Sequence, residues 1–358
     1  MNYNPIIIGG DFGDRPKKSS IIEKMANQES GKTPFINGGT MDDLKNIDLK
    51  GKNFIIWMPN ISNEEEKHYP KKDVGAVLIV SKVLHKGVTE TDAISRIFKM
   101  GANAVITIDK SEKPYRFKVI DALGNYWGDT HEPTQLLYIT MAISRCYGST
   151  QRKGSKSIIN PDLTIPDSED LYTFMAINHR IADKAESMGG RYFGNCSTRC
   201  DKLFPTARTE NGMVLVSPRN IDKASITAQD MIFIDTELEY GKIKYFGNRK
   251  PSVDTPVQLM IYNNWPKIKY MIHGHYYIYN APFTETFHPC GDTREYYQIA
   301  PIIGQKYGKY AMGAINLTNH GFLLYASTID EMRILAETSI FIKRDIGNEP
   351  IYLHTRWE

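Results

Sequence analysis

The sequence has few cysteines, almost no excess charge and no long hydrophobic run. Only 4 of its 358 residues are cysteine, too few for a disulfide framework and typical of a reducing compartment. The 44 Lys and Arg residues exceed the 41 Asp and Glu residues by three, which leaves no electrostatic footprint for nucleic acid or an anionic membrane. Apolar runs such as Pro5–Ile8 and Ala76–Val80 fall far short of the roughly 18–20 residues of a membrane span. We therefore expect neither nucleic acid nor a membrane as a partner.

The remaining composition is that of an ordinary globular protein. Hydrophobic residues make up 41% and charged residues 24%, which argues against intrinsic disorder. The first residues, MNYNPIIIGG, lack the basic region and the longer apolar segment of a signal peptide, so the expected location is the cytoplasm. At roughly 100–200 residues per domain, the length favours two domains.

Short β-branched runs recur through residues 1–150, and several end in glycine or proline. Helical segments lie between them, among them Thr91–Met100, which ends at Gly101. This alternation predicts parallel strands joined by crossovers, in a Rossmann-like α/β domain of unassigned role. The predicted strands are Pro5–Ile8, Phe35–Asn37, Phe54–Met58, Ala76–Val80 and Ala104–Ile108.

Two glycine-containing loops follow the first two of these strands. Gly9–Gly13 and Asn37–Thr40 could approach a nucleotide phosphate, but neither matches the G-x-G-x-x-G fingerprint or a P-loop. A tight strand-to-helix turn is the simpler interpretation of both.

A polar stretch divides the chain. Residues 151–168 are rich in Ser, Lys and Pro and lack periodic apolar residues, which predicts a linker. The second domain, residues 169–358, should open with an amphipathic helix over Leu171–Met188. Its apolar face would carry Phe174, Ile177, Ile181 and Ala185.

Three histidines in the second domain have the pattern of a metal site. Met271–Ile278 is strand-like, and because residues i and i+2 of a strand share a face, His273 and His275 would lie side by side and could chelate a divalent ion. His320 lies in a turn and could complete the three protein ligands common in catalytic zinc sites. Half-buried histidines that only hydrogen-bond to backbone are the structural alternative.

Other polar residues could serve such a site. Asp254 lies at the start of a helix predicted to run to about Tyr262, where a carboxylate could move substrate protons or could simply cap the helix. Gly194–Arg199 is predicted to be a polar loop able to offer donors to an anion. Cys196 and Cys200 have no second cysteine pair nearby, so we expect small core residues rather than metal ligands.

In order along the chain, five segments resemble the class II aldolase/adducin family, which includes enzymes of the L-fuculose-phosphate aldolase and L-ribulose-5-phosphate 4-epimerase type. Their order and spacing agree with the family pattern over about residues 170–340. The segments are Gly194–Arg199 (GN-x-S-x-R), Ser217-Pro218 before Asp230–Asp235, Lys250–Asp254 (K-P-S-x-[ED]), His273–His275 (H-x-H) and Asn319–Gly321 (N-H-G).

The resemblance implies an α/β/α domain with a central, mainly antiparallel sheet, assembled as a homo-oligomer, a cyclic tetramer with active sites between subunits. It implies a divalent metal, most simply Zn²⁺, held by His273, His275 and His320. It also implies that Asp254 acts on substrate protons and that Tyr352 completes a neighbour's site.

The resemblance further implies a subsite for a sugar or sugar-phosphate substrate. This chain has Arg219 and Asn220 where the family commonly has Ser and Gly, and Val253 in place of a second Ser. Losing a hydroxyl weakens a phosphate cradle, whereas Arg219 could restore a bidentate anion contact. The residues implied in substrate or phosphate binding are Gly194, Asn195, Ser197, Arg199, Arg219 and Ser252.

The expected function is that of a metal-dependent lyase of carbohydrate metabolism, which cleaves or forms a carbon–carbon bond in a ketose phosphate through a metal-stabilised enediolate. A 4-epimerase is an alternative, because the PSVDTP segment is nearer the epimerase form; Asp292 and Glu295 are candidates for its additional acid. Dehydration, decarboxylation and an unphosphorylated substrate also stay open. A non-catalytic adducin-like scaffold and a nucleotide-linked activity of the first domain are the remaining alternatives.

Overall fold

The structure divides into two compact units. The first comprises Met1–Arg152 with Asp345–Ile351, and the second comprises Lys153–Arg344 with Tyr352–Glu358. This computed structural model describes residues 4–9, 35–37, 47–58, 76–109, 111–148, 150, 155–158, 163–185, 187–200, 213–236, 243–307 and 311–353.

In the described part of the first unit, one sheet is flanked by two helices. The elements are β1 (Pro5–Gly9), β2 (Phe35–Asn37), β3 (Phe54–Met58), β4 (Val77–Leu84), α1 (Glu90–Met100), β5 (Ala104–Asp109), β6 (Arg116–Asp121), β7 (Tyr126–Thr130) and α2 (Pro133–Gly148). The strand order is β2-β1-β3-β4-β5-β6-β7, parallel through β5 and antiparallel for the last two strands.

The five strands expected from the apolar runs are confirmed as β1 to β5, and they are parallel as expected. The order of these strands, 2-1-3-4-5, is one of the common doubly wound orders. The Rossmann-like assignment stays a prediction, because most of the chain between the first four strands lies outside the described residues. Residues 10–13 and 38–40 of the two glycine loops lie outside them as well.

Helix α1 shows how local sequence sets its ends. The Thr89 hydroxyl accepts from the backbone N–H of Asp92 (3.3 Å), and the Asp92 carboxylate accepts from the N–H of Thr89 (2.7 Å), forming a capping box. Gly101 ends the helix in the left-handed region, at φ +64°. The predicted helix Thr91–Met100 is therefore confirmed.

A C-terminal segment returns to the first unit. The N–H of Tyr126 donates to Glu349 O (2.9 Å), and the N–H of Ile351 donates to Tyr126 O (3.0 Å). Because these partners are more than 200 residues apart in sequence, the local pattern could not place Asp345–Ile351 with the N-terminal unit.

The second unit is built on an eight-stranded sheet. The described strands are β8 (Ser155–Ile158), β9 (Ser187–Met188), β10 (Arg191–Tyr192), β11 (Asn195–Arg199), β12 (Met213–Val216), β13 (Ile232–Asp235), β14 (Ile243–Phe246), β15 (Tyr270–Gly274), β16 (Tyr277–Ile278), β17 (Gly313–Leu317), β18 (Gly321–Ala326) and β19 (Phe341–Ile342). The strand order of the sheet is β17-β18-β15-β11-β12-β13-β14-β8, and every neighbouring pair is antiparallel except β14 with β8. The helices are α3 (Glu169–Arg180), α4 (Thr255–Asn264), α5 (Arg294–Tyr307) and α6 (Ile329–Thr338), with 3-10 turns at Ala182–Ala185 and Ala228–Asp230.

Helices cover both faces of this sheet. Helices α3 and α6 bury Phe174 and Met332 in one core, together with Ile272 of β15. Helices α4 and α5 bury their apolar residues in a second core that includes Met271, the preceding residue of the same strand. Because successive strand residues face opposite sides, β15 contributes to both cores. The expected α/β/α arrangement with a mainly antiparallel sheet is confirmed.

Two sequence predictions in this unit are wrong. The predicted linker 151–168 contains β8, an edge strand that needs only one neighbouring backbone and whose sequence, SKSI, shows no apolar alternation. The predicted helix Leu171–Met188 ends at Arg180, where the N–H of Ile181 bonds to Asn178 O and the chain tightens into a 3-10 turn. Ile181 and Ala185 are nevertheless buried.

Cys196 and Cys200 are both buried, which confirms them as core residues. No helix in the described ranges has the length and apolar character that crossing a membrane requires.

A close backbone approach links β18 to the end of β15. A Cβ on Gly321 would lie 2.0 Å from Gly274 O and 2.8 Å from the Cα of His275. No side chain can be placed there without moving backbone.

Gly321→Ala should therefore lower the free energy of unfolding by about 2 kcal/mol or more, because the new methyl group must push two strands apart. Urea denaturation followed by circular dichroism measures this change. The matched control is Gly304→Ala in α5, where a Cβ meets open space and alanine favours the helix. Equal stability of the two variants would contradict the prediction.

Candidate metal centre

Three histidines meet at one end of the central sheet. His273 lies on β15, His275 follows that strand, and His320 lies in the turn before β18, the neighbour of β15. Their ring centroids are 4.8–5.5 Å apart, each residue is at most 3% exposed, and one nitrogen from each ring lies within 4.8 Å of the others. The structure brings together the three residues that the sequence predicts as metal ligands.

The expected continuous strand over Met271–Ile278 is wrong, because β15 ends at Gly274. The N–H of His275 donates to Lys184 O (2.9 Å) instead of extending the sheet, and its ring stacks on Phe193 at a centroid distance of 4.6 Å. The rings of His273 and His275 are adjacent even so, 5.2 Å apart.

Hydrogen bonds fix which ring nitrogens face the cluster. Nδ1 of His273 donates to Phe322 O (2.8 Å), which leaves its buried Nε2 without a hydrogen-bond partner among the described residues. Nδ1 of His320 donates to Glu295 Oε1 (2.8 Å), a carboxylate–histidine arrangement that orients metal ligands. A buried ring nitrogen with no polar partner is costly, and a divalent ion would satisfy it.

Burial sets the protonation of two of these rings. It lowers the pKa of His273 to about 4 and the pKa of His275 well below its usual value, so both are neutral near pH 7, as metal ligands must be. Burial opposes charge on His320 as well, but Cys290 and Glu295 outweigh it and raise the pKa of His320. The donor set, three buried imidazoles backed by a carboxylate, fits a divalent ion that prefers nitrogen ligands.

Asp254 faces this cluster instead of capping α4. Its residue occupies the N-cap position, but its side chain makes no capping bond. Oδ1 accepts from the N–H of Gly291 (2.8 Å), Oδ2 accepts from Nδ2 of Asn195 (3.2 Å), and Oδ2 lies 3.8 Å from Nε2 of His273. The capping interpretation of its carboxylate is therefore wrong.

Comparison with known proteins assigns this unit to a family. Residues 174–342 match the family described as class II aldolase and adducin N-terminal domain. The second unit is a class II aldolase domain.

Several solved structures are similar to the aldolase domain. An L-fuculose 1-phosphate aldolase is 17% identical, covering 49% of this chain and 87% of its own, with a TM-score of 0.33. The L-fuculose 1-phosphate aldolase of Glaciozyma antarctica PI12 is 16% identical, covering 52% of this chain and 82% of its own, with a TM-score of 0.31. The N-terminal class II aldolase domain of a Thermoplasma acidophilum protein is 15% identical, covering 49% of this chain and 92% of its own, with a TM-score of 0.31.

The predicted polar loop Gly194–Arg199 is mostly the buried strand β11 of the aldolase domain. Its start lies at the histidines, since Asn195 pairs with His273, and a Cβ on Gly194 would lie 2.6 Å from His273 O. Gln258 of α4 also donates to the Asn195 side chain. Gly194 and Asn195 are thus next to the cluster.

Ser197 and Arg199 lie farther along β11. The Ser197 hydroxyl pairs with the hydroxyl of Tyr262 (2.9 Å), and the Arg199 guanidinium donates to the backbone carbonyls of Tyr262 and Ile268. Arg199 is four residues, about 13 Å, beyond Asn195. The expectation that these two side chains face an anion at the site is wrong, because both fasten α4 to the sheet.

Arg219 lies in a basic cavity, and Ser252 lies beside Asp254. A cavity of about 430 Å³ is lined by residues 218–221 with Arg249 and Lys250. Arg219 is an exposed residue of this cavity. Ser252 is buried, and its hydroxyl accepts from the N–H of Asp254 (3.4 Å).

Tyr352 is held beside the N-H-G turn by its backbone alone. Its N–H donates to Asn319 Oδ1 (2.8 Å), and its carbonyl accepts from the N–H of Phe287 (2.8 Å). Its side chain is 59% exposed, so it projects from the surface next to the turn that carries His320.

The two acids proposed for an epimerase both have fixed partners. Asp292 contacts His288 and binds the Arg294 guanidinium, with Oδ2 3.0 Å from Nε. Against the effect of burial, these two partners hold the pKa of Asp292 well below its usual value. Glu295 orients His320. The sequence names Glu295 as an acid but gives no signal for this positioning contact.

Glu295→Gln should weaken zinc binding about 10–100-fold. The carboxylate of Glu295 orients the His320 ring and makes that ring more basic, and a neutral amide lacks the charge for both effects. Competition with a chromogenic chelator measures the affinity. Glu285→Gln, an exposed change on the preceding segment, is the control and should leave it unchanged. Unaltered zinc affinity in Glu295→Gln would show that this contact does not support the metal site.

Proposed function

We propose that the aldolase domain is a metal-dependent lyase that cleaves or forms a carbon–carbon bond in a hydroxy-carbonyl sugar, most simply a ketose phosphate. The observation that carries this proposal is the cluster of three buried histidines with the Asp254 carboxylate beside it. An intact ligand set also argues against a purely adducin-like scaffold.

In this proposal His273, His275 and His320 hold the ion, and zinc suits three imidazole ligands with an open position. The ion would supply Lewis-acid stabilisation of negative charge that develops on a substrate oxygen.

Asp254 would handle the substrate proton. Its two oxygens accept hydrogen bonds from Gly291 and Asn195, which fix the carboxylate 3.8 Å from Nε2 of His273. A carboxylate held in this way can take a proton from a substrate hydroxyl or return one to carbon next to the carbonyl. Oriented placement of that group is what makes the transfer efficient.

An anionic group on the substrate would bind on the side of Arg219. Three cationic residues, Arg219, Arg249 and Lys250, line the cavity there, and Asn195 and Ser252 both hydrogen-bond to Asp254. Such charges favour a phosphate, for which arginine offers bidentate hydrogen bonds. Phosphorylation of the substrate is therefore part of the proposal.

The site would be completed by a second subunit. The exposed Tyr352 ring, held beside the N-H-G turn, supports a role in a neighbour's site within a homotetramer. Its phenol could then donate a proton to the reacting sugar.

Cleavage is favoured over 4-epimerisation because both candidates for the additional acid of an epimerase already have partners. Asp292 is bound to Arg294 and Glu295 to His320, so both are engaged elsewhere. Epimerisation is retained as an outcome of the substrate test.

The substrate test is NMR of the zinc-loaded protein with ketose phosphates and their unphosphorylated forms. Wild-type protein should give aldehyde products, whereas a new diastereomer would indicate epimerisation.

His320→Ala should lose both bound zinc and turnover, because a ligand is removed. Asp254→Asn should retain zinc and lose turnover at least about 100-fold, because the proton-transfer group is lost. A His320→Ala variant that keeps zinc and full turnover would refute the proposal.

Arg219→Ala should raise KM for a phosphorylated substrate about 10–100-fold and leave KM for the unphosphorylated sugar nearly unchanged, because one charge-assisted anion contact is lost. Steady-state kinetics on both substrates give the comparison. Arg180→Ala removes an exposed arginine that pairs with Glu337 and serves as the control. Equal changes for both substrates would argue against an anion subsite at Arg219.

A further inference from the structure

The thiol of Cys290 meets the third histidine at the nitrogen a metal would use. Because Nδ1 of His320 donates to Glu295, only its Nε2 is available to an ion, and Cys290 Sγ lies 3.2 Å from that Nε2. Asp254, Cys290 and His320 also form a second group whose ligand atoms lie within 4.8 Å of one another. The two groups share His320, so the thiol lies next to one of the three histidines.

The loop that carries Cys290 is fixed against the site. The N–H of Gly291 donates to Asp254 Oδ1 (2.8 Å), and a Cβ on Gly291 would lie 2.6 Å from Val253 O. Gly291 has a φ of +75°, which only glycine adopts without strain. The thiol is therefore held next to the cluster by the backbone that follows it.

The observed separation is close to that of two ligands on one ion. Zinc binds imidazole nitrogen at about 2.0–2.1 Å and cysteine sulfur at about 2.3 Å, so a tetrahedral pair lies about 3.6 Å apart. The Sγ–Nε2 distance of 3.2 Å differs from this by a few tenths of an ångström. A second observation points to a ligand independently, since buried Nε2 of His273 has no hydrogen-bond partner in the described residues.

The Cys290 sulfur lies closer to a candidate ligand nitrogen than the Asp254 carboxylate does. Sγ of Cys290 lies 3.2 Å from Nε2 of His320, whereas Oδ2 of Asp254 lies 3.8 Å from Nε2 of His273. Soft thiolate ligands also strengthen zinc binding relative to magnesium or calcium.

We propose that Cys290 is a fourth protein ligand of the metal held by His273, His275 and His320; the inference rests on the metal site of the proposed function. The sulfur–metal bond forms as the thiol proton leaves to solvent, with no change of oxidation state. With Cys290 as a fourth ligand the ion would have four protein donors. A substrate oxygen would then bind either as a fifth ligand or by displacing the Cys290 thiolate, which would take up a proton from solvent.

Cobalt(II) loading of the full chain tests this inference, because a thiolate ligand gives Co²⁺ an intense near-ultraviolet charge-transfer band that histidine ligands do not give. Wild-type protein should bind one Co²⁺ and show the band, and Cys290→Ser should lose the band while it still binds Co²⁺. Cys146→Ala, a change at a buried cysteine of the first unit, is the control and should retain it.

The outcomes separate this inference from the function it rests on. One bound Co²⁺ without the band in wild-type protein would overturn Cys290 as a ligand and leave the three-histidine site standing. No bound Co²⁺ would overturn both. If Cys290→Ser does not fold, zinc X-ray absorption of the wild-type protein decides, since the inference requires one sulfur neighbour at about 2.3 Å and a shell of nitrogen and oxygen alone would overturn it.

Discussion

Burial of three imidazole rings within 5.5 Å of one another is the constraint on which the aldolase domain depends. Charged rings at that distance and depth would repel and lose hydration, so His273 and His275 are held neutral. Neutral rings still carry polar nitrogens that need partners. Phe322 O and Glu295 satisfy one nitrogen on each of two rings, and one nitrogen from each of the three rings lies within 4.8 Å of the others.

Close backbone packing makes this convergence possible. Besides Gly321, two motif glycines have no room for a side chain, since a Cβ on Gly194 would lie 2.6 Å from His273 O and one on Gly274 would lie 2.7 Å from Lys184 O. The glycines of G-N, H-G-H and N-H-G thus share one physical cause. They let three segments that carry polar side chains approach within contact distance.

The sequence predicts the parts of the structure that leave a pattern in neighbouring residues or a set of motifs in a fixed order along the chain. β1 to β5 contain continuous apolar runs, so they can be predicted from the sequence, and β3 is buried on both faces as such a run implies. β6 and β7 mix buried and half-buried residues and are missed. The three clustered histidines follow from the family pattern. Ser197 and Arg199 are misplaced because a polar sequence, NCSTR, forms a buried strand whose side chains are satisfied by α4.

The contacts that complete the site have no local signal. Glu295 and Cys290 reach His320 across 25 and 30 residues of sequence, and nothing in the intervening pattern indicates either contact. The carboxylate of Asp254 turns away from the helix it precedes because Gly291 and Asn195, both distant in sequence, bind it. Each depends on tertiary packing that only the folded sheet supplies.

The most direct test of the account is the position of the metal itself. Crystals of the zinc-loaded full chain should give an anomalous difference peak that appears above the zinc absorption edge and vanishes below it. The account predicts one such peak at about 2.0–2.1 Å from a ring nitrogen of each of His273, His275 and His320. A zinc peak bound by other side chains, with these three histidines left out, would contradict it.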